Sequence, residues 1–310
     1  MPTSFETAIK ENDADLVCNW LTGNRPIPIN IRNKASLTGL MIACQSKADA
    51  TLEEILEINQ DSAKTSDKKA DLNAKDCMCS SALHYAAKSG SLECIKLLLE
   101  NGAKIDRENV EYETPLHIAA QSGHFHCMKY LLDNGAELHK KDQYDSTVLH
   151  FAVMGESSEC INYLIDLGVD INEKDNCGHS AIQDAVAMGR LESLKCLIAK
   201  KADINEKNQY NGRSLLHFAA RGAHLSCLQL LIELGADVNV RDNKSNTPLH
   251  SVGKKNCFEL SSDFVMPVAE ELIRAGANLS AINYRGAGPL NNFYIEALRL
   301  KKPELFQEMV

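Results

Sequence analysis

The sequence predicts an all-helical repeat protein, and three observations support this fold class. Short segments that open on Ser or Thr recur six times, at intervals of 33 or 34 residues. Each is followed by a pair of small residues and then by an apolar run, as expected for two short packed helices. Aromatic residues make up only 5% of the 310 residues, although 44% are hydrophobic. Few bulky rings suit a repeat protein, because each unit buries its apolar face only against its neighbours. The six segments are Ser81–His84, Thr114–His117, Thr147–His150, Ser180–Gln183, Ser214–His217 and Thr247–His250.

Local signals predict where each helix begins and ends. The opening Ser or Thr is a helix N-cap, and Pro115 and Pro248 occupy the first helical position, where a missing N–H costs nothing. Glycine in the left-handed conformation is expected to end most second helices. Lys201 replaces it in one unit, at a cost of about 1 kcal/mol. The expected terminating glycines are Gly102, Gly135, Gly168, Gly235 and Gly276.

The repeated segments resemble the ankyrin repeat, whose signature is a 33-residue period with the motif T-P-L-H-x-A. The resemblance implies an all-α solenoid in which each unit is a helix–turn–helix followed by a β-hairpin-like loop. Weaker copies at Thr38–Met41 and Gly288–Asn291, and one near Thr3, bring the total to about nine units over nearly the whole chain.

The period also predicts the domain organisation, a single domain over residues 1–310. The surplus residues of two units predict a loop extension and an insertion, and the second helix after the insertion is expected to restart at about Met266–Pro267. The predicted parts are an N-terminal capping unit (1–37), a repeat (38–80) with an extended loop (59–69), five regular repeats (81–246), a repeat (247–287) with an insertion (256–263), and an atypical C-terminal unit (288–310).

Composition narrows the function classes. A net charge of −9 argues against bulk binding of nucleic acid or anionic membranes. No apolar run approaches the roughly 18 residues of a membrane span, and the N-terminal residues show no secretory signal. Eleven cysteines without such a signal predict free thiols and a reducing compartment, cytoplasmic or nuclear. We expect a monomer.

Neither the cysteines nor the histidines predict catalysis or a cofactor. Four cysteines and Ser193 share one second-helix position, where small apolar side chains pack, so we expect no metal site there. The pair Cys77 and Cys79 is interpreted as an irregular turn with exposed thiols rather than a zinc or redox site. The four cysteines are Cys94, Cys127, Cys160 and Cys227.

The resemblance assigns structural roles to the in-register histidines. It implies that each imidazole hydrogen-bonds the backbone of a neighbouring hairpin, and Gln183 can make a similar bond. An enzyme hidden in the chain ends is disfavoured, because residues 1–37 and 288–310 contain no His and Cys18 is expected at a core position. The five histidines are His84, His117, His150, His217 and His250.

We therefore expect a non-enzymatic interaction module, an adaptor, scaffold or inhibitor, that binds a protein partner on the concave face of the solenoid. The resemblance implies that hairpin-tip and first-helix positions face the partner. Three of the eight tyrosines occupy tip positions, and the charge becomes basic in repeats seven and eight, which predicts a partner with an apolar or aromatic anchor and an acidic segment. The predicted partner-binding residues are Met78, Val110, Glu111, Tyr112, Glu113, Tyr144, Asp145, Met154, Met188, Tyr210, Arg213, Arg221, Lys244, Lys254, Lys255 and Tyr284.

Three other hypotheses stay open. The chain could be the substrate-recognition part of a ubiquitin-ligase adaptor whose C-terminal box lies outside it, or an ankyrin effector secreted by an intracellular microbe. Asn172, Asn205 and Asn239 resemble substrates of a cellular asparaginyl hydroxylase, although side-chain bonds that tie the turn explain them more simply.

Overall fold

The computed structural model describes residues 4–22, 28–60, 69–253 and 262–307, and these residues form eighteen α-helices without a β-strand. None of these helices is both long and apolar enough to cross a membrane. The first ten are α1 (Phe5–Lys10), α2 (Ala14–Thr22), α3 (Gly39–Ser46), α4 (Asp49–Gln60), α5 (Ala82–Ser89), α6 (Leu92–Glu100), α7 (Pro115–Gln121), α8 (Phe125–Asp133), α9 (Val148–Met154) and α10 (Ser158–Asp166). The rest are α11 (Ala181–Met188), α12 (Leu191–Ala199), α13 (Leu215–Gly222), α14 (Leu225–Glu233), α15 (Pro248–Ser251), α16 (Ser262–Arg274), α17 (Phe293–Lys301) and α18 (Glu304–Gln307), with a 3-10 turn at Pro289–Asn291.

The helices pack in two layers within each of two compact units, residues 1–160 and 161–310. In the first unit the odd-numbered helices α1 to α9 contact one another in succession, and α2 to α8 form the second layer. In the second unit α11, α13 and α15 form one layer, and α12, α14 and α16 form the other. This all-helical stacking confirms the predicted fold class. The assignment of residues 1–310 to a single domain stays a prediction.

The predicted N-caps are present. Ser81, Thr114, Thr147, Ser214 and Thr247 have extended backbones and precede α5, α7, α9, α13 and α15. Pro115 and Pro248 lie in the first turn of their helices, as predicted. The caps align the first helices, so that each unit starts in the same way.

A thin apolar layer separates the helices, and the in-register cysteines belong to it. Cys94, Cys127, Cys160 and Cys227 are buried, as is Ser193, which confirms their predicted packing role. Cys18 is different, because it is partly exposed in α2, where Val17 and Leu21 are buried instead. The expectation that Cys18 fills a core position was therefore wrong.

The second helices of five units end at glycines with φ between 87° and 90°, and Lys201 takes the same place with φ 67°. Both observations confirm the predicted left-handed terminations. A Cβ atom added at Gly102, Gly135, Gly168 or Gly235 would meet no atom within 4 Å. These glycines are therefore favoured by backbone conformation rather than by crowding.

Two irregular segments differ from their predictions. Helix α4 continues through Gln60, so the first two residues of the predicted loop 59–69 are helical, and residues 61–68 lie outside the described residues. Helix α16 begins at Ser262, and Pro267 lies inside it rather than at its start. The buried stripe Val265, Val268 and Leu272 has helical spacing and carries the helix through the proline. Of the predicted insertion 256–263, only the last two residues are described, and both are helical.

Candidate functional site

An Asp or Asn side chain locks each hairpin tip. Oδ1 of Asp142 accepts hydrogen bonds from the backbone N–H groups of Tyr144 (2.9 Å) and Ser146 (2.7 Å). Asp76 makes the same pair of bonds with Met78 and Ser80. This Asx-type turn fixes the direction in which the tip residue leaves the backbone. Equivalent Asp or Asn residues are Asn33, Asn109, Asp175, Asn208, Asp242 and Asn283.

Backbone hydrogen bonds also join successive tips within each unit. In the first unit, Val110 N–H donates to the Met78 carbonyl and Gln143 N–H donates to the Glu111 carbonyl, both at 2.9 Å. In the second unit, Tyr284 N–H donates to the Lys244 carbonyl at 3.2 Å. The tips therefore form ordered rows rather than independent loops.

Histidines connect four of the first helices to the next hairpin. Nδ1 of His117 accepts the N–H of Thr114 (3.1 Å) and lies 3.0 Å from its Oγ1, while Nε2 lies 3.1 Å from the Lys140 carbonyl. Because a carbonyl only accepts, Nε2 carries the proton and the ring is neutral. This confirms the predicted hairpin contact, which recurs from His84 to Glu113 and from His217 to Asn246. His250 makes the equivalent contact with Ala287.

Burial keeps three of these histidines neutral. It lowers the pKa of His84, His117 and His217 to about 4. Gln183, in the amide orientation that satisfies both of its neighbours, donates to the Gly178 carbonyl and accepts the Asn208 N–H. An uncharged amide thus links neighbouring hairpins as the histidines do. This position therefore does not require a side chain that can act as a general base.

Most of the predicted partner-binding residues that are described lie at the surface. The large exposed side chains among them are Met78, Val110, Tyr112, Tyr144, Met188, Tyr210 and Tyr284. Asp145 and Lys244 are also exposed, whereas Glu111, Glu113, Met154, Arg213 and Arg221 are partly buried. Lys254 and Lys255 lie outside the described residues.

Two of the tip residues have unusual backbones. Tyr112 has φ 61° and Asp145 has φ 60°, at the position where Gly178 and Gly286 stand in other hairpins. Asp tolerates this left-handed region, but a bulky Tyr is a true outlier there. Tyr112 nevertheless remains 56% exposed, so burial of its ring does not compensate for the strain.

The tips of the first unit border a cavity of acidic character. Its volume is about 370 Å³, and the charged side chains that line it are Asp76, Lys88, Glu111 and Glu113. Burial raises the pKa of the Glu113 carboxyl, whose Oε2 accepts a hydrogen bond from Asn109 Nδ2 (2.6 Å). In the second unit, a pocket of about 220 Å³ is lined instead by Arg213, Arg221, Lys244 and Arg285.

The cysteine pair lies in a hairpin, as predicted. Cys77 is exposed, and Cys79 is partly exposed with φ 59°, which fits an irregular turn. Within the described residues, the one group of three potential metal ligands is Asp175, His179 and Asp184. Asp175 is the turn-locking residue of its hairpin, and His179 Nδ1 lies 3.1 Å from Asp184 Oδ1. This hydrogen bond raises the pKa of His179. These bonds give the group a structural role.

The three candidate modification sites are not equivalent. Asn239 Nδ2 donates to the Gly276 carbonyl (3.0 Å), and its Oδ1 accepts the N–H of Asn278 (2.7 Å). Asn239 therefore ties two successive repeats, as the simpler interpretation predicts. Asn172 and Asn205 are exposed, and their hydroxylation stays a prediction that peptide mass spectrometry can test.

Sequence reasoning missed the turn-locking residues, although a signal was present. In six hairpins the Asp or Asn stands five residues before the N-cap Ser or Thr, as in Asp142 and Thr147. In the 34-residue unit it stands six residues before, at Asn208 and Ser214, and the extra residue enlarges the hairpin between them. The recurring tip signal was obscured because Asp and Asn also occur in the other turn of each unit.

Two-layer stacks of short helices, joined by locked hairpins, define a repeat scaffold. The family model described as ankyrin repeats (3 copies) matches residues 5–109, 106–175 and 179–262, and another, ankyrin repeats (many copies), matches residues 159–198. The chain belongs to the ankyrin-repeat family. Repeats of this family are typical of protein-interaction modules.

Curated relatives match limited parts of the chain. Ankyrin repeat domain-containing protein 53 of Mus musculus is 37% identical over 81 residues, which are 26% of this chain and 16% of that protein. The NF-kappa-B inhibitor cactus of Drosophila melanogaster is 36% identical over 78 residues, 25% of this chain and 14% of that protein. Neurogenic locus notch homolog protein 1 of Homo sapiens is 33% identical over 103 residues, 33% of this chain and 4% of that protein. The matched segments thus cover less than a fifth of each of these relatives.

Solved structures match more of the chain. The ankyrin repeat domain of human ASB11 has a TM-score of 0.59 and 28% identity, and the match covers 72% of this chain and 98% of that one. The ankyrin repeat domain of Bcl-3, described as a unique member of the IkappaB protein family, has a TM-score of 0.54 and 28% identity. That match covers 71% of this chain and 98% of the Bcl-3 chain.

Proposed function

We propose that this chain is a non-catalytic adaptor, scaffold or inhibitor that binds a protein partner through its hairpin tips and the adjoining first-helix residues. The observation that carries the proposal is the set of locked tips that present large exposed side chains. Tyr144 and Tyr210 are examples, because the backbone N–H of each donates a hydrogen bond to the turn-locking side chain two positions earlier. Tyr and Met are enriched at protein interfaces.

Pre-organisation explains how such a surface gains affinity. A loop that is ordered before binding loses little conformational entropy on binding. Tyr210 illustrates the point, because its ring lies against Gly178, where an added Cβ would come within 2.9 Å of the ring. The ring is supported from behind and still 62% exposed. A partner side chain can therefore pack on a surface that does not have to rearrange.

The strained backbone at Tyr112 supports the same proposal. A glycine would satisfy this hairpin without a steric penalty, as it does at Gly178. Strain of this kind often accompanies a functional role. We infer that Tyr112 is kept for its ring, which contacts the partner.

The relatives support a protein partner and leave its identity open. Cactus is named as an inhibitor of NF-kappa-B and Bcl-3 as a member of the IkappaB family, and these names favour a protein as the partner of this chain. The basic character of the pocket in the second unit favours a partner with an acidic segment there. We also propose a reducing, intracellular compartment, which the ten free cysteines among the described residues support.

A tyrosine-tip variant tests the proposal. We expect Y144S/Y210S/Y284S to lose the partners that the wild-type chain captures from its native cells, because tyrosines at interface centres carry much of the binding energy. The matched control is L167S/L234S/L300S, which removes exposed apolar side chains at the ends of second helices and in α17. Equal retention of partners by the tyrosine-tip variant and the wild type, or equal loss in both variants, would refute the proposed surface.

A further inference from the structure

The pocket in the second unit gathers four cationic side chains. Arg213, Arg221, Lys244 and Arg285 line it together with Tyr284. None of the four forms an ion pair with an acidic side chain in the described part of the chain, whereas Lys174 and Lys302 of the same unit do. Like charges that converge without counterions raise the free energy of the unbound protein. Such a cluster favours binding of an anion.

Asp242, whose charge acts on Arg213, is bound within its own hairpin. Both carboxylate oxygens of Asp242 accept hydrogen bonds from Asn246 Nδ2, and Oδ1 also accepts the N–H groups of Lys244 and Asn246. These bonds help to lower the pKa of Asp242, and they commit the carboxylate to its hairpin. Arg213 is partly buried, and burial together with the nearby charge of Arg221 lowers its pKa. The charge of Asp242 acts in the opposite direction, but it does not outweigh these two effects on the guanidinium.

Hydrogen bonds hold the backbone around the pocket in place. The Lys244 and Tyr284 tips are joined by a hydrogen bond of 3.2 Å, and His217 holds the Asn246 carbonyl from below. Arg285 lies over the Tyr284 ring at 5.5 Å, and its Nε donates to the Tyr284 hydroxyl (3.1 Å). These contacts orient the Arg285 guanidinium and the Tyr284 ring before a ligand binds.

We propose that this pocket binds a phosphorylated side chain of the protein partner, an inference that rests on the proposed interaction function. A phosphate monoester carries nearly two negative charges and three acceptor oxygens, which matches several converging donors better than a single carboxylate does. The other described side chains that line the pocket are uncharged, and Asn246 Oδ1 already accepts a hydrogen bond from Asn283 Nδ2 (3.0 Å). The volume of about 220 Å³ admits a phosphate group and the side-chain atoms that carry it. Partner binding would then depend on phosphorylation.

Degenerate peptide libraries with one fixed central residue test this inference on the full chain. The fixed residue is phosphoserine, phosphothreonine or phosphotyrosine, with the unmodified residue and Glu as comparisons, and inorganic phosphate as competitor. We expect at least about tenfold tighter binding of one phosphorylated library than of its unmodified and Glu counterparts. Equal binding of phosphorylated and Glu libraries, or complete displacement by equimolar inorganic phosphate, would overturn the proposal.

Variants assign the binding to the pocket. R213Q/R221Q should lose the preference for the phosphorylated library. K244Q/R285Q changes only exposed tip residues, so it should weaken this preference without a folding defect. R274Q/R299Q removes two exposed arginines of α16 and α17 and should retain the preference. Loss in this control as well would point to nonspecific charge attraction and contradict the proposal. If phosphatase treatment leaves partner capture intact while the tyrosine-tip variant abolishes it, the phosphate site fails and the proposed function stands.

Discussion

At the scale of single residues, backbone conformation separates structural from functional positions. Lys201 and Tyr112 both have positive φ where glycine occurs in other units. The sequence predicted the first, because the second-helix terminations recur in register. It did not predict the second, because the hairpin position holds Cys, Tyr, Asp, Gly and Ser in different units and shows no consensus. Tyr112 is therefore the more informative of the two.

Replacing Tyr112 tests whether its strain is kept for binding. We expect Tyr112→Gly to raise the free energy of unfolding by about 1 kcal/mol relative to Tyr112→Ala, since only Gly adopts φ 61° without a steric penalty. Both variants should bind the partner more weakly than the wild type, because both lack the ring. Urea unfolding and partner affinity measure the two effects. Wild-type affinity in Tyr112→Gly would show that the ring has no role in binding.

Buried cysteines show how far register predicts a residue's environment. Cys94 and Cys227 were placed correctly because each stands at the same position of a regular second helix. Cys18 was misplaced because α2 belongs to the N-terminal unit, where no repeat motif fixes the register. Register predicts burial only where the motif is complete.

At the scale of elements, neutral histidines join the first helices to the hairpins. Their role came from the resemblance, whereas their geometry and protonation required the structure. The two turns of each unit and the length of α16 were harder to predict. Pro267 suggested a helix start, but the apolar stripe from Val265 to Leu272 outweighs the single hydrogen bond that the proline loses.

The histidines make stability depend on pH with a definite sign. The pKa of His117 is about 4 in the fold and about 6.5 in the unfolded chain. Its contribution is therefore complete above pH 6.5 and is lost as the pH falls toward 4, because protons bind the unfolded chain first. We expect the stability advantage of the wild type over His117→Gln to shrink by about 3 kcal/mol across this window.

Urea unfolding of both proteins at pH 7, 6, 5 and 4 measures the difference. Gln183 shows that an amide fits this position in the native chain, so His117→Gln should fold. The comparison cancels the titration of carboxylates that the two proteins share. A pH-independent difference would mean that His117 is not held neutral by the fold.

At the scale of the whole molecule, the low aromatic content has a structural meaning. The stacked units bury small and aliphatic side chains, and among the described residues Phe151 is the one aromatic within the twelve largest fully buried side chains. Tyr144, Tyr210 and Tyr284 are exposed at hairpin tips instead. The sequence predicted this distribution because the period separates tip positions from stacked ones. The phosphate-sized pocket was not predictable, since it requires Arg285 to lie beside Arg213, far away in sequence.

Photocrosslinking in native cells tests the central claim, that the hairpin tips bind a protein partner. Benzoylphenylalanine replaces Tyr210 in one variant and Phe264 in another, since both are exposed aromatics of the second unit, one at a tip and one in α16. We predict a discrete crosslinked protein from position 210 and none from position 264. No crosslink at 210, or the same product from both positions, would contradict the claim.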